Sequence, residues 1–156
     1  MDRKPHRGKV DEQVRLLAKF LAPGHSFLEL RAGDCQVSLD VAKYVRKVIA
    51  VDVSNEIIKG LWKPDNFELV LSDGCTVDAH IKGINVAYSN NLMEHLHPDD
   101  AFCQLQCIYS ALAPGGVYIY VLLRIDLADL MISRSISTRL LQDFTSRNTR
   151  TLSSIS

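Results

Sequence analysis

The feature that most constrains the fold of this chain is an alternation of short apolar runs with segments of helical periodicity. Residues 48–51, with the sequence VIAV, are continuously apolar, as expected of a strand that is buried on both faces of a parallel sheet. The pattern predicts further strands at 26–30, 67–71, 84–88 and 117–122, and helices at 9–22, 37–45, 55–62 and 98–112. Strands that alternate with helices in this way predict an α/β fold, a doubly wound and mostly parallel sheet of about five strands.

Size, charge and cysteine content narrow the class of protein. The 156 residues fit one domain, and a formal net charge of zero provides no field that would attract nucleic acid or a membrane surface. No apolar run is long enough to cross a bilayer, and no apolar core follows the basic N-terminus as in a secretory signal. The four cysteines form no C-x-x-C pair, which is typical of free thiols in a reducing compartment. We therefore expect a cytoplasmic protein without nucleic-acid or membrane partners; the sequence leaves its oligomeric state open.

Ligands of doubly wound sheets bind beyond the carboxyl ends of the strands, so the residues after each predicted strand are the candidate site. The first such loop, residues 29–35 with the sequence ELRAGDC, resembles the first motif of class I S-adenosylmethionine-dependent methyltransferases, acidic-x-Gly-x-Gly-x-Gly, a Rossmann-like family. Gly33 keeps the central glycine, whereas Arg31 and Cys35 occupy the outer two glycine positions. The resemblance implies that this loop meets the methionine part of the cofactor, with cofactor-binding residues Glu29, Arg31, Ala32 and Gly33. Arg31 would place a cation near a sulfonium, so we expect weakened binding unless its side chain turns to solvent.

Asp52, in the sequence AVDVS at 50–54, follows the second predicted strand. It lies about 20 residues past the first loop, the spacing at which an acid reaches a ribose hydroxyl in such folds. Its carboxylate can accept hydrogen bonds from a diol, so Asp52 and the adjacent Val53 are predicted to bind the cofactor. The alternative is that Asp52 caps the helix that begins near Asn55.

Residues 72–74, with the sequence SDG, follow the third predicted strand. In the family that the first loop resembles, an acid here accepts a hydrogen bond from the adenine amino group, and the next backbone amide reaches the ring. The resemblance therefore implies cofactor contacts from Ser72, Asp73 and Gly74. The alternative is an ordinary Asp-Gly turn.

Residues 88–98, YSNNLMEHLHP, follow the fourth predicted strand and resemble a segment that small-molecule methyltransferases place beside the acceptor. The resemblance implies that Asn90 and Asn91 bind cofactor or substrate, and that His95 acts as a general base, since its ordinary pKa lies near neutrality. The alternative is a helix start in which the apolar residues pack and the histidines lie at the rim. Glu94, His95 and His97 would need a further ligand to hold a metal, so no metal site is predicted.

The fifth feature is the turn LAPGG at 112–116, which resembles the family's turn before the fifth strand. Five such features in the same order, within residues 26–120, carry the resemblance. A dinucleotide-binding loop would read G-x-G-x-x-G, and a phosphate-binding loop would end in G-K-[ST]; the first loop contains neither pattern.

The chain changes character after residue 122. We therefore divide it into an S-adenosylmethionine-binding domain, residues 1–122, and an atypical tail, residues 123–156, which has no glycine, proline or lysine and no predicted strand. One hypothesis is that the tail is read in a shifted frame, because codons exist for it whose neighbouring frame encodes a methyltransferase-like continuation. The nucleotide sequence across residues 121–124 tests that hypothesis. A shifted tail would be poorly ordered and would leave the sheet incomplete at its C-terminal edge.

Two functions remain open at this stage. The resemblance implies S-adenosylmethionine-dependent methyl transfer, with S-adenosyl-L-methionine as cofactor and a small molecule as acceptor. The alternative is a catalytically inactive methyltransferase-like chain with little or no cofactor binding, which Arg31, Cys35 and the tail favour. A nicotinamide-dependent enzyme is a third hypothesis, which a binding assay would test.

Overall fold

A computed structural model of the chain describes residues 4–54, 56, 62–72, 77–121 and 132–133. Within these described residues, three helices and six strands make up the regular structure. In chain order they are α1 (Lys4–Leu17), β1 (Ser26–Leu30), α2 (Gln36–Val41), β2 (Lys47–Asp52), β3 (Phe67–Leu71), β4 (Ile84–Asn90), α3 (Pro98–Ala111), β5 (Leu112–Val121) and β6 (Ile132–Ser133). A short 3₁₀ turn, Met93–His95, connects β4 to α3.

The strands form one sheet with the order β3-β2-β1-β4-β5-β6. Pairing is parallel from β3 through β5, and β6 pairs antiparallel with β5. From β1 the chain first builds outward through β2 and β3 and then returns to add β4 on the other side. The direction of winding therefore reverses between β1 and β4, and a crevice opens there at the carboxyl ends of the strands. The predicted doubly wound, mostly parallel α/β sheet is confirmed.

Both faces of the sheet are buried, which explains why the strands have continuous apolar runs. Along β1, Phe27 points to the face that α1 and α2 cover, whereas Leu28 points to the face that α3 covers. Alternate residues of β2 and β4 divide in the same way, since successive side chains of a strand point to opposite faces. An apolar layer thus packs on each face of the sheet, and these two layers hold the residues at its carboxyl edge in place.

Several element boundaries differ from the sequence prediction; α2, for example, spans Gln36–Val41 rather than 37–45. Helix α1 spans Lys4–Leu17 rather than 9–22, because the chain tightens after Leu17: the amides of Lys19 and Phe20 bond to carbonyls three residues back. Strand β5 begins at Leu112, so the predicted turn at 113–116 lies inside a strand. Leu112 pairs with Ile84 and Val117 with Val86, so residues 113–116 bulge out of the β4–β5 ladder.

The sequence predicts no strand in the tail, and this is wrong at Ile132–Ser133, which pairs with Tyr118 and Ile119 of β5. The outer edge of β5 carries backbone groups that can bond to another chain segment, and two tail residues use them. The rest of the tail and the predicted helix at 55–62, apart from Glu56 and Trp62, lie outside the described residues. Among the described helices, none is both long and apolar enough to cross a membrane.

Candidate functional site

A cleft of about 570 Å³ opens at the carboxyl ends of β1, β2, β3 and β4. Its walls combine apolar side chains with a few polar ones, as small-molecule sites usually do. The residues that line it are Leu30, Arg31, Gly33, Val51, Asp52, Val53, Ser72, Asn90, Asn91, Leu92, His95, Leu96 and Gln104. The parallel strands all end at this edge, so segments far apart in the sequence meet here.

The loop after β1 has a backbone that suits glycine at three positions. Arg31, Gly33 and Cys35 have φ values of 55°, 55° and 56°, in the left-handed region that residues with a Cβ rarely adopt. These are the three positions at which the methyltransferase motif has glycine, so the loop keeps the shape of the motif although two of its glycines are replaced. A Cβ added at Gly33 would meet no atom within 4 Å, so this residue leaves space at the edge of the cleft.

The side chain of Arg31 crosses the crevice. Its Nη1 donates a hydrogen bond to the carbonyl oxygen of Asn91, at 3.0 Å, and so joins the carboxyl ends of β1 and β4. Asn91 also has a positive φ, 51°, and its amide donates to Val121 O at 2.8 Å, which ties the backbone of Asn91 to the end of β5. The guanidinium therefore lies at the cleft wall rather than free in solvent.

Asp52 ends β2 and holds two loops together. Its Oδ2 accepts a hydrogen bond from the amide of Gly33 at 2.7 Å, and its Oδ1 accepts from the amides of Val53 and Ser54. The latter two bonds close a turn directly after β2, and the amide of Glu56 donates to Ser54 Oγ instead. The predicted helix that Asp52 would cap lies outside the described residues apart from Glu56 and Trp62, so that alternative stays a prediction. The bond to Gly33 places the carboxylate at the cleft, where it can meet a ligand.

The segment after β3 is described only in part. Ser72 lines the cleft, and its amide donates to Asp52 O at 3.0 Å. Val53 and Leu71, at the ends of β2 and β3, are apolar and exposed there. The predicted adenine contacts Asp73 and Gly74 lie outside the described residues.

The segment after β4 brings Asn90, Asn91 and His95 to the cleft wall. His95 is exposed and belongs to the 3₁₀ turn, so its imidazole can meet a ligand in the cleft. His97 instead caps α3, where its Nδ1 accepts from the amide of Asp99 at 3.4 Å. Within the described part of the chain, no group of three His, Cys, Asp or Glu side chains could hold a metal.

Glu29 and Ala32, predicted to contact the cofactor, are buried and do not line the cleft. Glu29 points to the α2 side of the sheet, where its Oε2 accepts hydrogen bonds from the amide and the hydroxyl of Ser38. Burial raises the pKa of Glu29 to about 7, although both bonds from Ser38 act to lower it. Glu29 thus supports the loop and the start of α2 from beneath. Burial likewise raises the pKa of Cys35 to about 12, so its thiol stays protonated.

Sequence reasoning missed five residues of the cleft wall: Leu30, Val51, Leu92, Leu96 and Gln104. Four are apolar and look like core positions. The position of Leu30 and Val51 at strand ends is the signal that could have found them. Gln104 comes from α3, and only the packing of this helix across the sheet brings it to the site.

Comparison with known proteins finds no match to the sequence of this chain but does find matches to its fold. No protein-family model and no curated protein sequence matches this chain. Solved structures do match it. A TehB-like SAM-dependent methyltransferase from Corynebacterium glutamicum is similar over 69% of this chain and 60% of its own length, with a TM-score of 0.61 and 19% identity.

Two further solved structures show the range of proteins with this architecture. Phosphoethanolamine N-methyltransferase 1 from Haemonchus contortus, in complex with phosphoethanolamine and S-adenosylhomocysteine, matches 81% of this chain and 28% of its own, with a TM-score of 0.63 and 14% identity. The cyclase SpnF matches 70% of this chain and 44% of its own, with a TM-score of 0.57 and 20% identity. The chain thus spans less than two thirds of the length of each of these three proteins. Its sheet order, its loop after β1 and these likenesses together show that the chain has the fold of the class I S-adenosylmethionine-dependent methyltransferases.

Proposed function

We propose that this chain binds S-adenosylmethionine in the cleft and transfers its methyl group to a small-molecule acceptor. The observation that carries the proposal is the contact between Gly33 N and Asp52 Oδ2, at 2.7 Å, on the rim of the cleft. It places an unobstructed glycine beside a hydrogen-bond acceptor, at the ends of two adjacent parallel strands.

The dimensions and chemistry of the cleft fit such a cofactor. Its volume of about 570 Å³ lies within the range of about 300–1,000 Å³ typical of small-molecule sites. A carboxylate oxygen can accept about two hydrogen bonds. Oδ1 of Asp52 already accepts two, whereas Oδ2 accepts one and can accept a second from a ribose hydroxyl. Val53 and Leu71 offer exposed apolar surface to a flat base.

The reaction needs positioning more than charge stabilisation. The cofactor carries its methyl group on a positively charged sulfonium sulfur. After transfer, the rest of the cofactor leaves as a neutral thioether. The chain would hold the ribose at Asp52, admit the amino-acid part beside Gly33 and exclude water with the apolar wall of Leu30 and Leu92. His95 lies at the same wall and can accept a proton from an acceptor that must lose one.

A second candidate is a cofactor-binding protein without methyl transfer. The observation that favours it is the hydrogen bond of Arg31 to Asn91, which puts a cation and a side chain across the crevice. The cyclase among the similar structures also shows that this fold alone does not determine the reaction.

Calorimetric titration with S-adenosylmethionine and S-adenosylhomocysteine tests binding. We expect both to bind, and Asp52→Asn to weaken binding about 10- to 100-fold, because a hydrogen bond to a charged group is lost. Asp65→Asn, which removes an exposed carboxylate in the connection before β3, is the matched control and should bind as the wild type does. An absence of heat at millimolar ligand in the folded wild type would refute the proposal.

Transfer is tested with S-adenosylmethionine labelled on its methyl group and a cell extract as the source of acceptors. We expect label in molecules that pass an ultrafiltration membrane, and less of it with His95→Gln. Binding without any transfer would leave the second candidate as the function, and label confined to retained macromolecules would refute the small-molecule acceptor.

A further inference from the structure

Arg31 places a positive charge in the cleft at a defined position. Its guanidinium is held by the carbonyl oxygen of Asn91, a residue whose amide is bonded to Val121 O. Two backbones with positive φ, at Arg31 and Asn91, face each other across the reversal point of the sheet. The cation therefore belongs to the cleft wall in the same sense as Asp52 does.

No carboxylate of the described residues forms an ion pair with this guanidinium. Among the described residues, Arg31 takes part in no ion pair, although other basic side chains, such as Arg7 and Lys47, do. The carboxylate that shares the cleft, Asp52, already accepts hydrogen bonds from three backbone amides. Asp52 keeps its own negative charge, so the two side chains act on a ligand separately, and replacing Arg31 alone changes the charge that the cleft presents by one unit.

The cleft is small enough for this charge to act throughout it. A sphere of 570 Å³ has a radius of about 5 Å, whereas the screening length at physiological ionic strength is about 8 Å. A charged group of a bound ligand therefore interacts with Arg31 wherever it lies in the cleft.

Resting on the proposed function, we propose that Arg31 is a specificity-determining residue: it makes the cleft favour S-adenosylhomocysteine over S-adenosylmethionine. The two compounds differ by one methyl group and the positive charge that it brings to the sulfur. Two unit charges about 8 Å apart, at an effective dielectric constant of about 40, repel each other by an amount that corresponds to a preference of about fivefold. The site would thus retain the demethylated cofactor and bind the methylated form less tightly.

The experiment is the ratio of the two dissociation constants, measured by calorimetry at low and high salt. We expect the wild type to bind S-adenosylhomocysteine about fivefold more tightly, and the ratio to shrink in about 0.5 M salt, where the screening length falls below about 5 Å. Arg31→Gln removes the charge and should bring the ratio close to one, chiefly by tightening the binding of S-adenosylmethionine. Arg31→Lys keeps the charge and should keep the ratio.

Arg46→Gln is the matched control. Arg46 is also an exposed arginine with one side-chain hydrogen bond, from Nη2 to Ser26 Oγ at 3.0 Å, but it lies at the amino end of the sheet. Its loss changes the net charge by the same amount and should leave the ratio unchanged.

Each outcome decides between the two proposals. Equal binding of both compounds to the wild type, or a ratio that Arg31→Gln does not change, would overturn this inference and leave the proposed function intact. The inference also fails if the wild type binds neither compound while Arg31→Gln binds both, because the uncharged thioether should still bind the wild type. If no variant binds either compound, the proposed function fails as well.

Discussion

Two glycine-rich segments of the methyltransferase pattern behave differently in this molecule. In the bulge of β5, residues 113–116, the chain has glycine where the backbone demands it: Gly115 has a φ of 78°, and a Cβ on Gly116 would lie 2.6 Å from Ile84 O. In the loop after β1, Arg31 and Cys35 occupy left-handed positions without being glycine. The fold therefore favours glycine at particular positions of both segments, but only the bulge has glycine at each of them.

The two segments show two different reasons why a backbone position favours glycine. At Gly116 the reason is space, since the neighbouring backbone leaves no room for a side chain. At Arg31 and Cys35 the reason is conformation, which costs about 1–2 kcal/mol per residue when a Cβ is present. A chain tolerates a residue other than glycine at a left-handed position, because the conformational cost is limited and the surrounding sheet holds the loop in place.

The largest expected effect is that of Gly116→Ala. The added Cβ would collide with Ile84 O, a backbone atom that can move only with β4, so we expect a loss of about 2–3 kcal/mol in the free energy of unfolding. Urea denaturation measures it. Gly24→Ala, where nothing lies within 4 Å of the added Cβ, is the control and should change stability by less than about 0.5 kcal/mol. Equal effects of the two changes would contradict the steric reason.

The next largest effect is on the pH dependence of stability, and it comes from Glu29, which lies beneath the loop after β1. Because burial raises the pKa of Glu29 to about 7 from 4.5, the folded state keeps a proton that the unfolded state has lost, so stability should fall as the pH rises between these two values. Glu29→Gln keeps a hydrogen-bond acceptor for Ser38 without the charge. At pH 8 we expect it to raise the free energy of unfolding by about 2–3 kcal/mol relative to the wild type, since each pKa unit corresponds to about 1.4 kcal/mol.

At pH 4 the two proteins should differ little, which serves as the internal control. A Glu29→Gln protein that loses stability with rising pH as steeply as the wild type would show that another group causes the loss.

Arg31→Gly tests the conformational cost directly. Arg31 is exposed, so its removal sacrifices little packing, and glycine at a φ of 55° relieves strain. We expect thermal unfolding to show a gain of about 1 kcal/mol. Arg31→Ala, which loses the same hydrogen bond but keeps a Cβ, should show no gain. A gain of equal size for alanine would mean that the side chain, and not the backbone, causes the strain.

Cys35→Gly should have the smallest effect. The same relief of backbone strain applies at its φ of 56°, but Cys35 is fully buried against Ala32 and Ala50, and loss of its side chain leaves a void. The two contributions are each about 1 kcal/mol and oppose each other, so the net change in urea denaturation should be close to zero. A gain as large as that of Arg31→Gly would show that the thiol packs poorly.

Local sequence predicted the elements well where apolar periodicity decides them. The strands at 26–30 and 67–71 have the predicted bounds, because each is a short run between residues that end it. The meeting of Gly33 and Asp52 also follows from sequence, since parallel strands end at one edge. Where α1 ends and whether residues 113–116 leave the sheet depended on neighbouring segments, so these boundaries differed.

The direction and neighbours of individual side chains were beyond sequence reasoning. Glu29 was expected at the cofactor, but the pleat of β1 turns its carboxylate to the opposite face, where Ser38 binds it. Gln104 reaches the cleft only because α3 packs across the sheet. Both placements depend on which elements pack together, and no local sequence pattern indicates which elements will do so.

The sequence by itself determined the order of the elements and the residue types at their ends, because periodicity and turn residues act over a few positions. The tertiary structure decided what those residues meet. Arg31 and Asn91 are 60 positions apart, and they touch because the winding of the sheet reverses between β1 and β4. Sequence reasoning allowed Arg31 either to weaken binding or to turn to solvent. In the fold its guanidinium bonds to the neighbouring strand end, because the reversal sets a carbonyl oxygen within its reach.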